Sequence, residues 1–186
     1  EILSSEITPI LNQTNDLFTR KLNQKICERA PKLSDTITHA NSAIAADAAG
    51  FVVLVSELFL KNKMCKAVEI LGSGTSGVIP EEAPLAPVGA IKALLDHTEI
   101  SLSNVAFIEL MEAYAAQAII CTRLCDLDLD KVNIRGGALS RGHPIGASGA
   151  ILVVRLFNEL INAPGASGMA AIAAAGGIGS AMMLKS

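Results

Sequence analysis

A single imidazole stands where chemistry is most easily built. His143 lies in the run Arg141-Gly142-His143-Pro144-Ile145-Gly146-Ala147-Ser148-Gly149. Pro144 fixes the backbone beside the ring, and the glycines at 142, 146 and 149 allow conformations that a Cβ would forbid. A helix-like apolar pattern begins at Ala150, so helix amides near Gly146 to Gly149 are expected to point towards the loop. A short run, Val132 to Ile134, precedes it and reads as a strand. Junctions from strand to helix are where α/β proteins place reacting groups.

Other candidates are weaker. Cys27, Cys65, Cys121 and Cys125 form no C-x-x-C pair and have no clustered histidines, so no metal site is expected. They read as free thiols of a reducing compartment, taken here as the cytoplasm. Cys121 and Cys125 lie one helical turn apart, where burial is the ordinary fate of free cysteine. The run Gly72-Ser73-Gly74-Thr75-Ser76-Gly77 matches G-x-G-x-x-G. Pro80 and Pro84 delay the following helix, so the run reads as a plain loop and not as a dinucleotide cradle. A hydrolase built on Ser148 and His143 lacks both a Gly-x-Ser-x-Gly elbow and an acidic partner.

The elements that position these residues follow from the apolar pattern. Residues 1–38 are polar and read as a connecting arm, with a strand end near Ile7 to Leu11 and a weak helix from Asp16 to Arg29. Residues 39–186 form the main domain. Ala43 to Leu60 is nearly all apolar and reads as a buried helix. Strands are expected at Ala67 to Leu71, Val105 to Leu110, Met169 to Ala175 and Ser180 to Leu184. Helices are expected at Pro87 to His97, Glu112 to Leu124 and Ala150 to Ile161, the last with Arg155, Asn158 and Glu159 outward. This order predicts an α/β layered fold, a mixed sheet with helices on both faces that ends in an antiparallel pair.

Bulk properties limit the partners. The 186 residues are 51% hydrophobic and only 3% aromatic, without Trp, so the core must be built from small aliphatic side chains. A net charge of −3 gives no electrostatic case for nucleic acid or an anionic membrane. The uncharged stretch from Ala163 to Leu184 is broken by Pro164 and paired glycines, which favours buried strands over a membrane span. The first residue is Glu1 rather than Met, as in a fragment or processed product.

Four runs together resemble the thiolase family, which makes and breaks carbon–carbon bonds between acyl-CoA thioesters. Gly136 to Ala150, GGALSRGHPIGASGA, is similar to the family's Gly-His-Pro-x-Gly-x-Ser-Gly loop. Ile108 to Gln117 resembles E-x-N-E-A-F-A, Ala173 to Gly179 resembles C-x-G-G-G-x-G, and His39 to Ala49 resembles G-N-A-S-G-I-N-D-G-A. The resemblance implies a thiolase-like fold of which this is the C-terminal half, with the arm leading out of an N-terminal domain.

It implies further that His143 is the catalytic histidine, acting on a cysteine nucleophile of the N-terminal half. Gly142, Pro144, Gly146, Ser148 and Gly149 would shape its loop, and Tyr114 would lie beside it near the substrate. Three polar positions depart from the family. Ala173 stands at the acid/base cysteine, Met111 at the asparagine that holds an oxyanion water, and Ala43 at a serine near the pantetheine arm. Ala175 replaces a glycine of the C-terminal run. The resemblance therefore implies an acetyl-CoA C-acetyltransferase type of chemistry that is impaired, or else a non-catalytic binder of CoA thioesters or assembly scaffold. CoA thioesters would be substrates, with no resident cofactor, and the assembly a homodimer or homotetramer.

Overall fold

The computed structural model describes residues 6–16, 18–61, 63 and 65–186. Its elements are helix α1 (Gln24–Arg29), helix α2 (Glu57–Leu60), strand β1 (Glu69–Gly77), a 3₁₀ turn (Pro80–Leu85), helix α3 (Ala86–Thr98), strand β2 (Val105–Leu110), helix α4 (Ala115–Leu124), the short helix α5 (Ala138–Arg141), helix α6 (Ser148–Leu160), and strands β3 (Ser167–Ala174) and β4 (Ile178–Lys185). The four strands form one sheet in the order β1-β4-β3-β2. β2 and β3 are parallel, whereas β4 runs antiparallel to both β3 and β1. The expected mixed sheet with a closing antiparallel pair is the one observed.

The period-two alternation of the strands sends side chains to two different cores. Ile108, Met169, Ala171, Ala181 and Met183 meet Ile91 and Leu94 of α3 and Cys121 of α4 on one face. Phe107, Ala170, Ile172, Met182 and Leu184 meet Leu152, Leu156 and Leu160 of α6 on the other. Helices thus cover both faces, and each aliphatic side chain faces a layer of its own.

Several local expectations are corrected. The Gly72 to Gly77 run is not a loop: it lies within β1 and pairs with β4 from Ile178 to Met183. Its glycines serve helix packing. A Cβ on Gly74 would sit 2.3 Å from the Ala90 carbonyl oxygen, so glycine lets α3 lie directly on the strand. Val132 makes only an isolated bridge to Ile108, and Ile10 only one to Gln13, so neither segment is a strand. In the arm the helix is confined to α1, and Leu17, within the expected span, lies outside the described residues. α4 starts at Ala115, because the preceding residues are held in a turn by contacts described below.

The largest correction concerns Ala43 to Leu60. Only Glu57–Leu60 is helical, capped by Ser56. From Asp47 to Val55 no backbone group has a hydrogen-bond partner among the described residues. The side chains are exposed as well: 86% for Phe51, 84% for Val53 and 73% for Leu54. An apolar run without a layer to cover it gains nothing from becoming a helix. Arg155 and Glu159, expected outward on α6, are also misread: both are buried, on the face they share with Ser148 and Leu152.

Candidate active site

The His143 loop is assembled from three segments joined by backbone bonds. Ala43 N donates to the Ala113 carbonyl at 2.9 Å, and Ala115 N donates to the Asn41 carbonyl at 2.8 Å. A few residues on, His143 N donates to the Ile44 carbonyl at 2.7 Å. Residues 41–46 therefore lie between the turn that follows Met111 and the histidine loop, binding one to the other. Gly142 has φ +92, and a Cβ there would come within 2.9 Å of Ala46 Cβ. Only glycine lets the loop lie this close to the 41–46 segment.

Glu112 and Asn133 brace the floor of the loop. Asn133 has φ +49. Its amide Nδ2 donates to the Leu110 carbonyl at 2.9 Å and to Glu112 Oε1 at 2.6 Å. Its Oδ1 accepts from Leu110 N, extending the ladder of β2 with a side chain. The other carboxylate oxygen of Glu112 accepts from Leu139 N of α5 at 3.2 Å. On the outer side Arg20 donates to the carbonyls of Leu139, His39, Ala40 and Ser42, clamping α5 to the segment that leads into 41–46. Sequence reasoning did not assign roles to Asn133, Glu112 and Arg20. Carbonyl partners leave no mark in a sequence, and Asn133 stands out only as an Asn ahead of two glycines.

His143 is half-buried, and its Nδ1 lies 2.7 Å from Ser148 Oγ. Ser148 Oγ in turn donates to the Pro144 carbonyl at 3.0 Å. That carbonyl has no hydrogen to give, so both contacts are satisfied together only when Nδ1 carries the proton and the hydroxyl accepts it. Nε2 is then left with a bare lone pair. Burial lowers the pKa of the ring below the ordinary value near 6.5, which keeps it neutral. The result is an imidazole poised as a base through Nε2. Ser148 itself is buried and committed, which removes it as a nucleophile.

The other expected positions fall as follows. Met111 closes β2, donates its N–H to the Ala171 carbonyl at 2.9 Å, and is buried beside Ala138 and the partly buried Ala43. Ala173 lies two residues further along β3, paired with Gly179, and Ala175 is exposed at the start of the turn through Gly176 and Gly177. Tyr114 caps α4 and is exposed; with Gln117 and Glu82 it lines a cleft of about 300 Å³ that does not include His143. Gly146 and Gly149 have φ outside the left-handed region and face open space, so the loop does not need them for conformation or close packing. Burial raises the Cys121 thiol pKa and pushes that of Cys125 up to about 11; Cys27 and Cys65 are exposed. No group of three metal-ligating side chains occurs among the described residues, and none of their helices is long and apolar enough to cross a membrane.

A mixed sheet between helix layers, with an imidazole on the loop into α6 whose Nδ1 meets Ser148, defines a layered α/β domain. Its family is shown by comparison. Residues 64–186 match the model of the thiolase C-terminal domain, and the chain belongs to the thiolase family. It is 39% identical over 154 residues to a putative acetyl-CoA C-acetyltransferase, YhfS, of Bacillus subtilis, covering 82% of this chain and 42% of that protein. It is 34% identical over 156 residues to the mitochondrial 3-ketoacyl-CoA thiolase of Homo sapiens, covering 83% of this chain and 39% of that one. The crystal structure of the Acat5 thiolase from Ascaris suum in complex with coenzyme A superposes with a TM-score of 0.85 at 30% identity, over 98% of this chain and 50% of that one. The chain spans less than half the length of these curated relatives.

Proposed function

We propose that the protein to which this domain belongs transfers acyl groups between CoA thioesters in the manner of an acetyl-CoA C-acetyltransferase, with His143 as its base. The observation that carries this reading is the contact of Nδ1 with a Ser148 hydroxyl that itself donates to the Pro144 carbonyl, which leaves Nε2 as the basic nitrogen. In the first step Nε2 takes the proton of a thiol supplied by an N-terminal half, and the thiolate attacks the thioester carbonyl carbon. The carbon–sulfur bond to CoA breaks, and the CoA thiolate recovers the proton from Nε2. CoA thioesters are substrates in this scheme, and no resident cofactor or metal takes part.

Formation of the carbon–carbon bond needs a second proton-transferring group and oxyanion donors. Ala173 and Met111 supply neither. That step should accordingly be slower by about 10²–10⁴ than in an enzyme with such a group. These substitutions also favour a second reading, a thiolase-like binder or scaffold for CoA thioesters without turnover.

The N-terminal half would rest on residues 47–59. Their exposed Phe51, Val53, Leu54 and Leu58 form the kind of apolar surface that marks an interface. A homodimer or homotetramer is the expected assembly. Four free thiols suit a reducing compartment such as the cytoplasm.

Cleavage of acetoacetyl-CoA by the complete protein tests the proposal. Turnover that is abolished in His143→Ala supports it. Absent turnover with retained CoA binding by calorimetry transfers support to the binder. Turnover that His143→Ala leaves unchanged contradicts the role of the imidazole.

A further inference from the structure

Behind the His143 loop lies a buried charge cluster to which the proposed chemistry gives no part. Three carboxylates, Glu6, Glu109 and Glu159, meet three guanidiniums, Arg135, Arg141 and Arg155. Arg155 and Glu109 are each only 2% exposed. Arg155 Nε donates to Glu109 Oε2 at 2.9 Å, its NH1 lies 3.5 Å from Glu6 Oε2, and its NH2 donates to the Gly136 carbonyl at 3.1 Å. Arg135 Nε is 2.6 Å from Glu159 Oε1, and Arg141 NH2 is 3.9 Å from Glu109 Oε2. Such a cluster is a poor way to stabilise a fold, since well-packed apolar residues of similar volume usually do as well or better. Directional contacts do, however, fix orientation, which aliphatic packing does not.

The cluster's place shows what is oriented. Arg155 follows Ser148 by seven residues on α6, two turns along the same face and about 10 Å down the axis. Leu152, Leu156 and Leu160 share that buried side, where their contacts with the sheet are non-directional. Arg155 differs, because its three nitrogens meet three different segments: β2, the arm, and the turn at Gly136. Glu109 stands two residues before Met111, and Arg141 two residues before His143.

We propose that the Glu109–Arg155 pair is a positioning device: it locks the rotation of α6 and so holds the Ser148 hydroxyl, at the head of that helix, on Nδ1 of His143. This deepens the role given to His143 above and rests on it, but its test needs no turnover. Glu109 and Arg155 touch no reacting atom in this scheme. They act through α6 and Ser148 on which ring nitrogen carries the proton.

Nitrogen-15 spectra of the 186-residue protein labelled at its three histidines read this directly, with His143 assigned by His143→Asn. The wild type is expected to show a protonated Nδ1 and a bare Nε2, and Ser148→Ala to lose that state for the Nε2–H form that free imidazole favours. Glu109→Gln should reproduce the loss, converting the larger part of His143 to Nε2–H. Because that variant leaves Arg155 without its closer carboxylate and can unfold, the double variant Glu109→Leu/Arg155→Met is measured beside it. Removing one charge of each sign keeps the cluster's net charge unchanged, which the single variant does not. Unmoved His39 and His97 signals report an intact structure. Folded variants in which His143 keeps the wild-type Nδ1–H state overturn the proposal, and so does a wild type already in the Nε2–H form.

Discussion

The two most apolar stretches of the chain meet opposite fates. Met169 to Leu184 is rich in Ala, Ile and Met and forms β3 and β4, with Met169, Ala171, Ala181 and Met183 on one core and Ala170 and Leu184 on the other. Gly50 to Leu60 is at least as hydrophobic, yet Phe51, Val53, Leu54 and Leu58 are largely exposed. Hydrophobicity is common to both, so it does not decide burial. What decides is whether neighbouring strands can pair with the backbone and whether a layer faces the side chains. β3 has β2 and β4 beside it and helices above and below; residues 47–55 have no pairing partner among the described residues.

That contrast can be broken by substitution, beginning with the largest effect. Arg155→Ala, on the filled side, leaves Glu109 in the core with only the longer contact to Arg141 and should cost about 3–5 kcal/mol in denaturant unfolding. Phe51→Ser, on the unfilled side, should stay within about 0.5 kcal/mol. Next comes Leu156→Ala: the side chain is fully buried, so a loss of about 2–5 kcal/mol is expected, whereas Leu54→Ala should leave stability alone and reduce self-association in light scattering. Equal losses at Leu156 and Leu54 would show that residues 47–55 are packed in solution.

A smaller effect belongs to the joint between the two regions. Gly142→Ala puts a Cβ against Ala46 at a φ of +92 and should cost about 1–3 kcal/mol, read as a lower unfolding midpoint. The smallest concerns pH. Burial holds the His143 pKa below 6.5, so as pH falls through that value the unfolded chain takes up a proton that the folded chain does not. Stability from the neutral ring is present above pH 6.5 and is lost as pH drops through the folded value. Unfolding curves of wild type and His143→Asn should therefore converge on acidification; curves that stay parallel would place the ring in solvent.

The sequence makes the sheet domain legible because its signals agree. Val105 to Leu110 has strand composition and Pro87 to His97 a helical pattern with proline in its first turn; both are found, the helix one residue longer at each end as Ala86–Thr98. The Gly-His-Pro loop is legible for the same reason, through residues whose backbone limits are strict. Three things are not. Residues 43–60 carry an apolar run without a decisive period, and such a run does not distinguish helix from strand or say whether a layer exists to cover it. Arg155 and Glu159 look like the solvated face of α6 until Glu109, 46 residues away from Arg155, is known to sit opposite. Arg20 grips carbonyls, which every residue has, so its partners are invisible in residue types.

Residues 47–55, without backbone partners among the described residues and with exposed apolar side chains, leave an unfilled place beside the loop that presents His143. Hydrogen–deuterium exchange at those amides tests this most directly, in the 186-residue protein alone and with the N-terminal half of a thiolase fold supplied. Exchange at unprotected rates is expected when the chain is alone and strong slowing when the other half is added, with β3 and β4 protected in both. Amides of 47–55 already protected in the isolated monomer, or still unprotected in the reconstituted protein, would contradict it.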